Sequence, residues 1–234
     1  MIVIDNESST CRDSFHWNDS ATNFKENLCD YYKTAAVFRM EKPEYVFHLA
    51  ANSNIQAAIE SPKKTLENNF SSTMNVLDCA RLHGGKRVVF SSSASVYGSC
   101  TPPQEESSKT DSLNAYATSK AMGEKAMKLY HKIYGLETVC LRYFNIYGGR
   151  QPTRGGYASV IGAFLAASKQ SQALKIYGDG SQERDFVHVS DAVKCNILSA
   201  FSDNKEVPGS IINIGTGIGT SILDLSKMID DNIR

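Results

Sequence analysis

The sequence predicts an α/β protein with a doubly wound, mostly parallel sheet, and three observations carry that expectation. Apolar runs of strand length at 44–51, 87–98 and 136–145 alternate with stretches of helical periodicity at 62–83 and 114–135. Each run has a consecutive apolar core, as in strands covered on both faces. They end in small or polar side chains, and open α/β sheets bind ligands at the carboxyl ends of their strands.

Taken in order, residues 1–6 (Met-Ile-Val-Ile-Asp-Asn) form an apolar strand ending in Asp5 and Asn6, a pair equally at home in a turn. Residues 24–30 read as a short strand and a helix cap, with a helix following to Met40. The strand at 44–51 closes on Leu49, Ala50 and Ala51, and the alanines let a flat ligand approach the backbone. A loop then leads to the helix at 62–83, opened by Pro62, stopped by Gly84-Gly85, and apolar at Leu66, Phe70, Met74, Val76, Leu77 and Ala80. The helix at 114–135 carries a stripe of Ala115, Ser119, Met122, Ala126, Leu129 and Ile133. That stripe is either an association surface or a face buried against the sheet. Beyond Asn145 the composition shifts to Gly, Arg and Pro over 148–156, which divides the chain into 1–147 and a smaller region, 148–234. In that region a helix is expected at 157–169, strands at 174–177 and 185–189, and a last helix at 221–229. The stretch 211–220 (Ile-Ile-Asn-Ile-Gly-Thr-Gly-Ile-Gly-Thr) imitates a phosphate loop. The G-x-G-x-x-G spacing would need glycine at Thr220, so a tight turn is expected instead.

One helix face points to proton transfer. Tyr116 and Lys120 stand four apart, one turn from each other on the same side of the 114–135 helix. A free phenol titrates near about 10, and a fixed cation within a few ångströms lowers that by roughly one to three units. The pair is thereby expected to act as acid and base near neutral pH. Tyr-x-x-x-Lys alone is common on solvated helices. The hydroxyls of Ser91, Ser92 and Ser93 upstream and Asn145 downstream give it weight, because strand, helix and strand bring these groups to one sheet edge.

Four ordered motifs carry a resemblance: Ser-Ser-Ser-Ala-Ser-Val-Tyr-Gly at 91–98, Tyr-x-x-x-Lys at 116–120, Leu-Arg-Tyr-Phe-Asn at 141–145, and Gly-Asp-Gly-Ser-Gln-Glu-Arg-Asp-Phe-Val-His-Val at 178–189. Together they resemble the extended short-chain dehydrogenase/reductase family, most closely its NAD-dependent UDP-sugar 4-epimerases. The resemblance implies a Rossmann-like sheet with NAD as cofactor and a UDP-hexose as substrate. It implies catalytic roles for Ser93, Tyr116 and Lys120. It assigns cofactor contacts to Asp5, Asn6, Asn27, Leu28, Leu49, Ala50, Ala51, Asn69, Ser91, Tyr116, Lys120 and Tyr143. Substrate contacts fall to Ser93, Asn145, Arg184 and Phe186. At Asn27-Leu28 the family has an Asp-Ile pair, and an amide oxygen is a weaker acceptor than a carboxylate. Asn69 has a bland alternative as a solvated helix residue, and Arg184 as a surface ion pair with Asp185. The family's helix pairs also imply a homodimer.

The resemblance has a structural consequence. If 2–4 is the second strand of the order 3-2-1-4-5-6, the first strand, its glycine-rich turn and the first helix are absent, leaving a gap between the strands at 2–4 and 44–51. The C-terminal end is likewise expected to be incomplete. An inactive fragment or pseudoenzyme of the family is therefore one alternative to an epimerase. Dehydratases and decarboxylases are another. In dehydratases of the family an Asp-Glu pair follows the active-site hydroxyl, where this chain has Ala94 and Ser95.

Composition fits this reading. Lys+Arg and Asp+Glu are both 25, giving a formal net charge of +0, and no basic run suggests a nucleic-acid surface. The longest apolar stretch, 157–168, is too short to span a bilayer, and no leader segment is expected ahead of the fold. Six cysteines without a C-x-x-C pair suggest reduced thiols in the cytoplasm. The histidines lack metal-ligand spacing, so no metal is expected, and His48 reads as a hydrogen-bonded core group.

Overall fold

A computed structural model describes residues 1–8, 16–153, 155 and 157–231. Cys11 and the end of the chain beyond Asp231 lie outside them. The main sheet has four parallel strands in the order β3 (Tyr45–His48), β4 (Arg87–Ser93), β5 (Glu137–Tyr143), β9 (Ile211–Ile214). β1 (Ile2–Asp5) and β2 (Thr22–Lys25) form a separate parallel pair. No hydrogen-bonded ladder joins β1 to β3 among the described residues.

Both faces of the main sheet are covered, which is why consecutive apolar residues occupy the middle of its strands. On one side α3 (Pro62–Leu82) and α4 (Ala115–Tyr134) bring Val76, Leu77, Met127 and Tyr130 against Val88, Phe90 and Cys140. On the other, Val89, Val139 and Leu141 meet Ala200 and Cys195 of α6 (Val189–Phe201). A third cluster joins α5 (Val160–Lys169) and α7 (Ile222–Asp231) through Ile161, Phe164, Ile222, Leu225 and Ile229. The later part of the chain thus serves two places, since α6 and β9 complete the main sheet while α5 and α7 form their own layer.

The helix ends follow side-chain chemistry. Asp30 caps α1 (Tyr31–Glu41) by accepting from Lys33 N at 3.2 Å, and Asn114 caps α4 by accepting from Ala117 N at 2.9 Å. Gly135 closes α4 in the left-handed region at φ 69. Gly123 has no room for a side chain, because a Cβ there would meet the Phe90 ring at 2.5 Å. At the base of the sheet Arg87 donates to Glu137 Oε2 at 2.7 Å and, through Nη1, to Ser199 O, Ala200 O and Ser202 O at 2.8, 3.1 and 3.0 Å.

Three expectations need correction. The supposed loop before α3 contains α2 (Ile55–Glu60), whose single apolar turn escapes a periodicity argument but is capped by Asn54. Residues 174–177 are not a strand. Leu174 and Ile176 pack on the α5–α7 cluster, and no described strand offers this segment a ladder. The α4 stripe is divided: Ser119 and Ala126 are buried against the fold, whereas Leu129 and Ile133 face solvent.

Candidate active site

β4 ends in Ser91, Ser92 and Ser93, and its parallel register sets Ser93 opposite Tyr143 at the end of β5. A 3-10 turn follows (Ala94–Tyr97), opened by Ser93 Oγ accepting from Ser95 N at 3.2 Å. α4 starts with Tyr116 and Lys120 on the face toward these strand ends. The Ser93 side chain lies close enough to the Tyr116 phenol to oppose the burial-driven rise of its pKa.

Lys120 is used differently from the expectation. Its Nζ donates to Ser91 O at 2.5 Å, sits 4.8 Å from the Phe90 ring centroid and lies 5.8 Å from that of Tyr116. Burial lowers its pKa from 10.5 to about 8. Burial raises the Tyr116 pKa, with the Ser93 hydrogen bond opposing, so the phenol is not acidified in this state. The reason is desolvation: both groups are withdrawn from water, and the ammonium is directed at a backbone carbonyl rather than at the phenol oxygen.

The depressed Lys120 gives a test of its own. A fall from 10.5 to about 8 corresponds to roughly 3 kcal/mol of charge burial. At pH below 8 the folded and unfolded chains both carry the charge and that cost is felt in full. Between 8 and 10.5 only the unfolded chain stays protonated, and the cost fades with rising pH. Lys120→Met is expected to be about 2 kcal/mol more stable than the unmodified chain at pH 7, the lost bond to Ser91 taking part of the gain. The advantage is expected to shrink by pH 10. Urea unfolding at the two pH values checks this, and a less stable variant at pH 7 contradicts it.

Around this centre Asn69 is buried, not solvated. Its Oδ1 accepts from Asn52 N at 2.7 Å, and its Nδ2 donates to Asn52 O at 3.1 Å and Ser119 Oγ at 3.0 Å. It therefore fastens the segment after β3 to α4. His48 is a core group, its Nε2 3.0 Å from Thr73 Oγ1, and burial pushes its pKa down to about 3. Thr73 gives its own proton to Asn69 O at 2.8 Å, so His48 is the donor. Tyr143 OH accepts from Asn196 Nδ2 of α6 at 2.6 Å. Ser91 Oγ, beside that phenol, and Ser95 Oγ are buried without a hydrogen-bond partner among the described residues. Unspent hydroxyls at strand ends fit a ligand rich in oxygen acceptors.

The remaining sequence candidates are more dispersed. Asp5 Oδ1 accepts from Glu7 N at 2.6 Å, Asn6 Oδ1 from Ser8 N at 3.0 Å and Asn27 Oδ1 from Cys29 N at 3.0 Å, so each first serves its local turn. Leu28 packs on the core, and its carbonyl accepts from Asn75 Nδ2 at 2.8 Å. Leu49 and Ala50 are exposed just past β3, with Ala51 half-buried. Asn145, Arg184 and Phe186 meet in a cavity of about 320 Å³, whose lining includes Tyr147, Lys175 and Tyr177 but not Tyr116 or Ser93. β6 (Asn145–Tyr147) pairs with β8 (Phe186–His188), and Asn145 follows two residues after Tyr143, which makes the cavity continuous in sequence with the end of β5. Arg184 makes no ion pair with Asp185 among the described residues.

Sequence reasoning missed the buried support beneath this centre. Glu124, one further turn along the Tyr116–Lys120 face, accepts from Ser92 Oγ at 2.5 Å and holds Arg142 in a fork, Nε to Oε1 and Nη2 to Oε2 both at 2.8 Å. Arg142 Cζ lies 4.7 Å from the Tyr97 ring centroid. The 116-120-124 spacing was the available signal.

Comparison with known proteins matches residues 1–215 to the NAD dependent epimerase/dehydratase family. The chain belongs to this family. A UDP-N-acetyl-alpha-D-glucosaminuronate decarboxylase of Bacillus cytotoxicus is 39% identical over 192 residues, covering 80% of this chain and 58% of that protein. The crystal structure of UDP-glucose 4-epimerase with UDP-glucose from Thermotoga maritima superposes with a TM-score of 0.91 at 31% identity, covering 98% of this chain and 73% of that one. A Thermus thermophilus UDP-glucose 4-epimerase complex with NAD gives 0.87 at 28% identity, covering 99% and 75%. The chain spans 58 to 61% of the length of the first curated relatives it matches. The fold is therefore the family's Rossmann-like α/β fold, and the family's cofactor is NAD.

Proposed function

We propose that this chain carries the active site of a nucleotide-sugar 4-epimerase that inverts C4 of a UDP-hexose through a 4-keto intermediate. The observation that supports this best is the approach of Ser93 to Tyr116 at the end of β4, joined by a cavity that gathers Asn145, Arg184 and Phe186 and begins two residues after the end of β5. Tyr116 takes the proton of the 4-hydroxyl and later returns it, while Ser93 hydrogen-bonds the same oxygen. NAD, when bound, supplies the hydride acceptor and donor for the sugar carbon. Residues 1–147, completed by α6 and β9, would hold it through Asp5, Asn6, Asn27, Leu28, Leu49 to Ala51, Ser91, Lys120 and Tyr143, with Asn69 fixing the 52 segment. The cationic Lys120 then disfavours loss of charge balance at the phenolate. Arg184 offers forked donors to the diphosphate, Asn145 an amide, and Phe186 an apolar wall.

No helix among the described residues is long and apolar enough to cross a membrane. The five described cysteines are free, which favours a reducing cytoplasm. Exposed Leu129, Ile133 and Tyr134 on α4 suit association of two copies. A decarboxylase is the second reading, favoured by the 39% identical relative. Ala94 and Ser95 weigh against elimination chemistry, since they supply no additional acid and base. The assay is incubation of purified protein with NAD and UDP-galactose, with product identity and bound NAD both measured. UDP-glucose formation is the expected result. Release of carbon dioxide from a UDP-uronate, with no epimerisation, would replace this reading by the second.

A further inference from the structure

Asp185 ties two candidate substrate residues to a glycine loop. Its carboxylate accepts from Thr216 N at 2.9 and 2.8 Å, from Thr216 Oγ1 at 2.7 Å and from Gly217 N at 2.8 Å. Its backbone oxygen accepts from both Asn145 N and Asn145 Nδ2 at 3.0 Å. The loop that follows β9 therefore wraps its amide groups around an internal carboxylate, as a backbone nest wraps an anion. In the stretch that imitates a phosphate loop, the Thr216 and Gly217 amides are thereby spent on this internal anion. Gly215 is required for the approach, since a Cβ there would lie 2.8 Å from Asp185 Oδ2.

The clamp bears on Arg184 directly. β7 (Glu183–Arg184) is only two residues long and pairs with β10 (Thr220–Ser221), at the other end of the same loop. So short a pair does not hold its own register. Fixing Thr216 and Gly217 on one side and Asn145 on the other sets the segment from which Arg184 reaches the cavity.

We propose that Asp185 is a positioning residue for nucleoside diphosphate binding, holding Arg184 and Asn145 at the cavity through the 215–217 loop. This rests on the nucleotide-sugar reading above. The test is calorimetric titration of UDP into the full chain, the Asp185→Asn variant and the Thr216→Ala variant, with melting temperatures alongside. Asparagine turns an acceptor oxygen into a donor facing two N–H groups, while Thr216→Ala removes one donor and leaves the carboxylate. Expected are a tenfold or greater loss of UDP affinity in Asp185→Asn and a severalfold loss in Thr216→Ala, with melting within a few degrees of the unmodified chain. In turnover the loss should fall on KM and leave kcat nearly unchanged. The proposal is overturned if Asp185→Asn binds UDP as tightly as the unmodified chain. It is equally overturned if affinity falls only together with melting temperature while Thr216→Ala binds normally. An unmodified chain that binds no UDP defeats the nucleotide-sugar reading itself, a result distinct from equal binding by chain and variant.

Discussion

Replacing Tyr116 by phenylalanine is expected to lower the rate of UDP-galactose to UDP-glucose conversion by roughly 10²- to 10⁴-fold, the usual contribution of a positioned acid-base group. The ring keeps its packing, so folding and UDP affinity should change little. What disappears is the hydroxyl that lies near the Ser93 side chain. Initial rates at saturating UDP-galactose separate this from a binding defect, because an interaction made in the transition state lowers kcat and kcat/KM alike. Conversion at the unmodified rate would remove Tyr116 from the mechanism.

The second large effect lies beneath the site. Glu124 and Arg142 are 5% and 3% exposed, and their forked pair is out of reach of water. Taking away one partner leaves a buried charge without compensation, which costs about 3 to 5 kcal/mol. Glu124→Gln is expected to lose stability in that range, read as a lower midpoint in urea with an unchanged slope. The Ser92 hydroxyl would lose its charged acceptor in the same step. Replacing both residues together by apolar side chains of similar volume should recover most of the loss, because desolvation then falls on neither charge. A single Glu124→Gln change costing less than about 1 kcal/mol would show that the pair contributes little.

Much of this architecture was legible in the sequence where the local signals agreed. The strands at 45–48, 87–93 and 137–143 carry the apolar runs Tyr45–Phe47, Val88–Phe90 and Val139–Leu141 because helices lie on both sides. Asp30, Asn114, Pro62 and Gly135 mark helix ends by side-chain and backbone chemistry that acts within a few residues. Strand order placed Ser93 at the end of β4 and Tyr116 at the start of α4, whereas Asn145 lies on β6, which pairs with β8 outside the main sheet. What escaped depends on contacts distant in sequence. The buried state of Asn69 is set by Asn52 and Ser119, 17 and 50 residues away. The direction of the Tyr116 shift turned on how deeply the pocket is desolvated, which spacing on a helix does not encode. Leu174 and Ile176 have strand-like chemistry, but their partners proved to be helices.

The Arg87 guanidinium has a consequence for how the molecule opens. By satisfying three carbonyls at the end of α6 while paired with Glu137 on β5, it joins the root of the central strands to the covering helix. That helix cannot fray from its C-terminal end without exposing a buried cation and the floor of the sheet together. Amide exchange in β4, β5 and the last turn of α6 should consequently proceed as one cooperative event, with Ser91, Ser92 and Ser93 riding on the slowest-opening part of the protein.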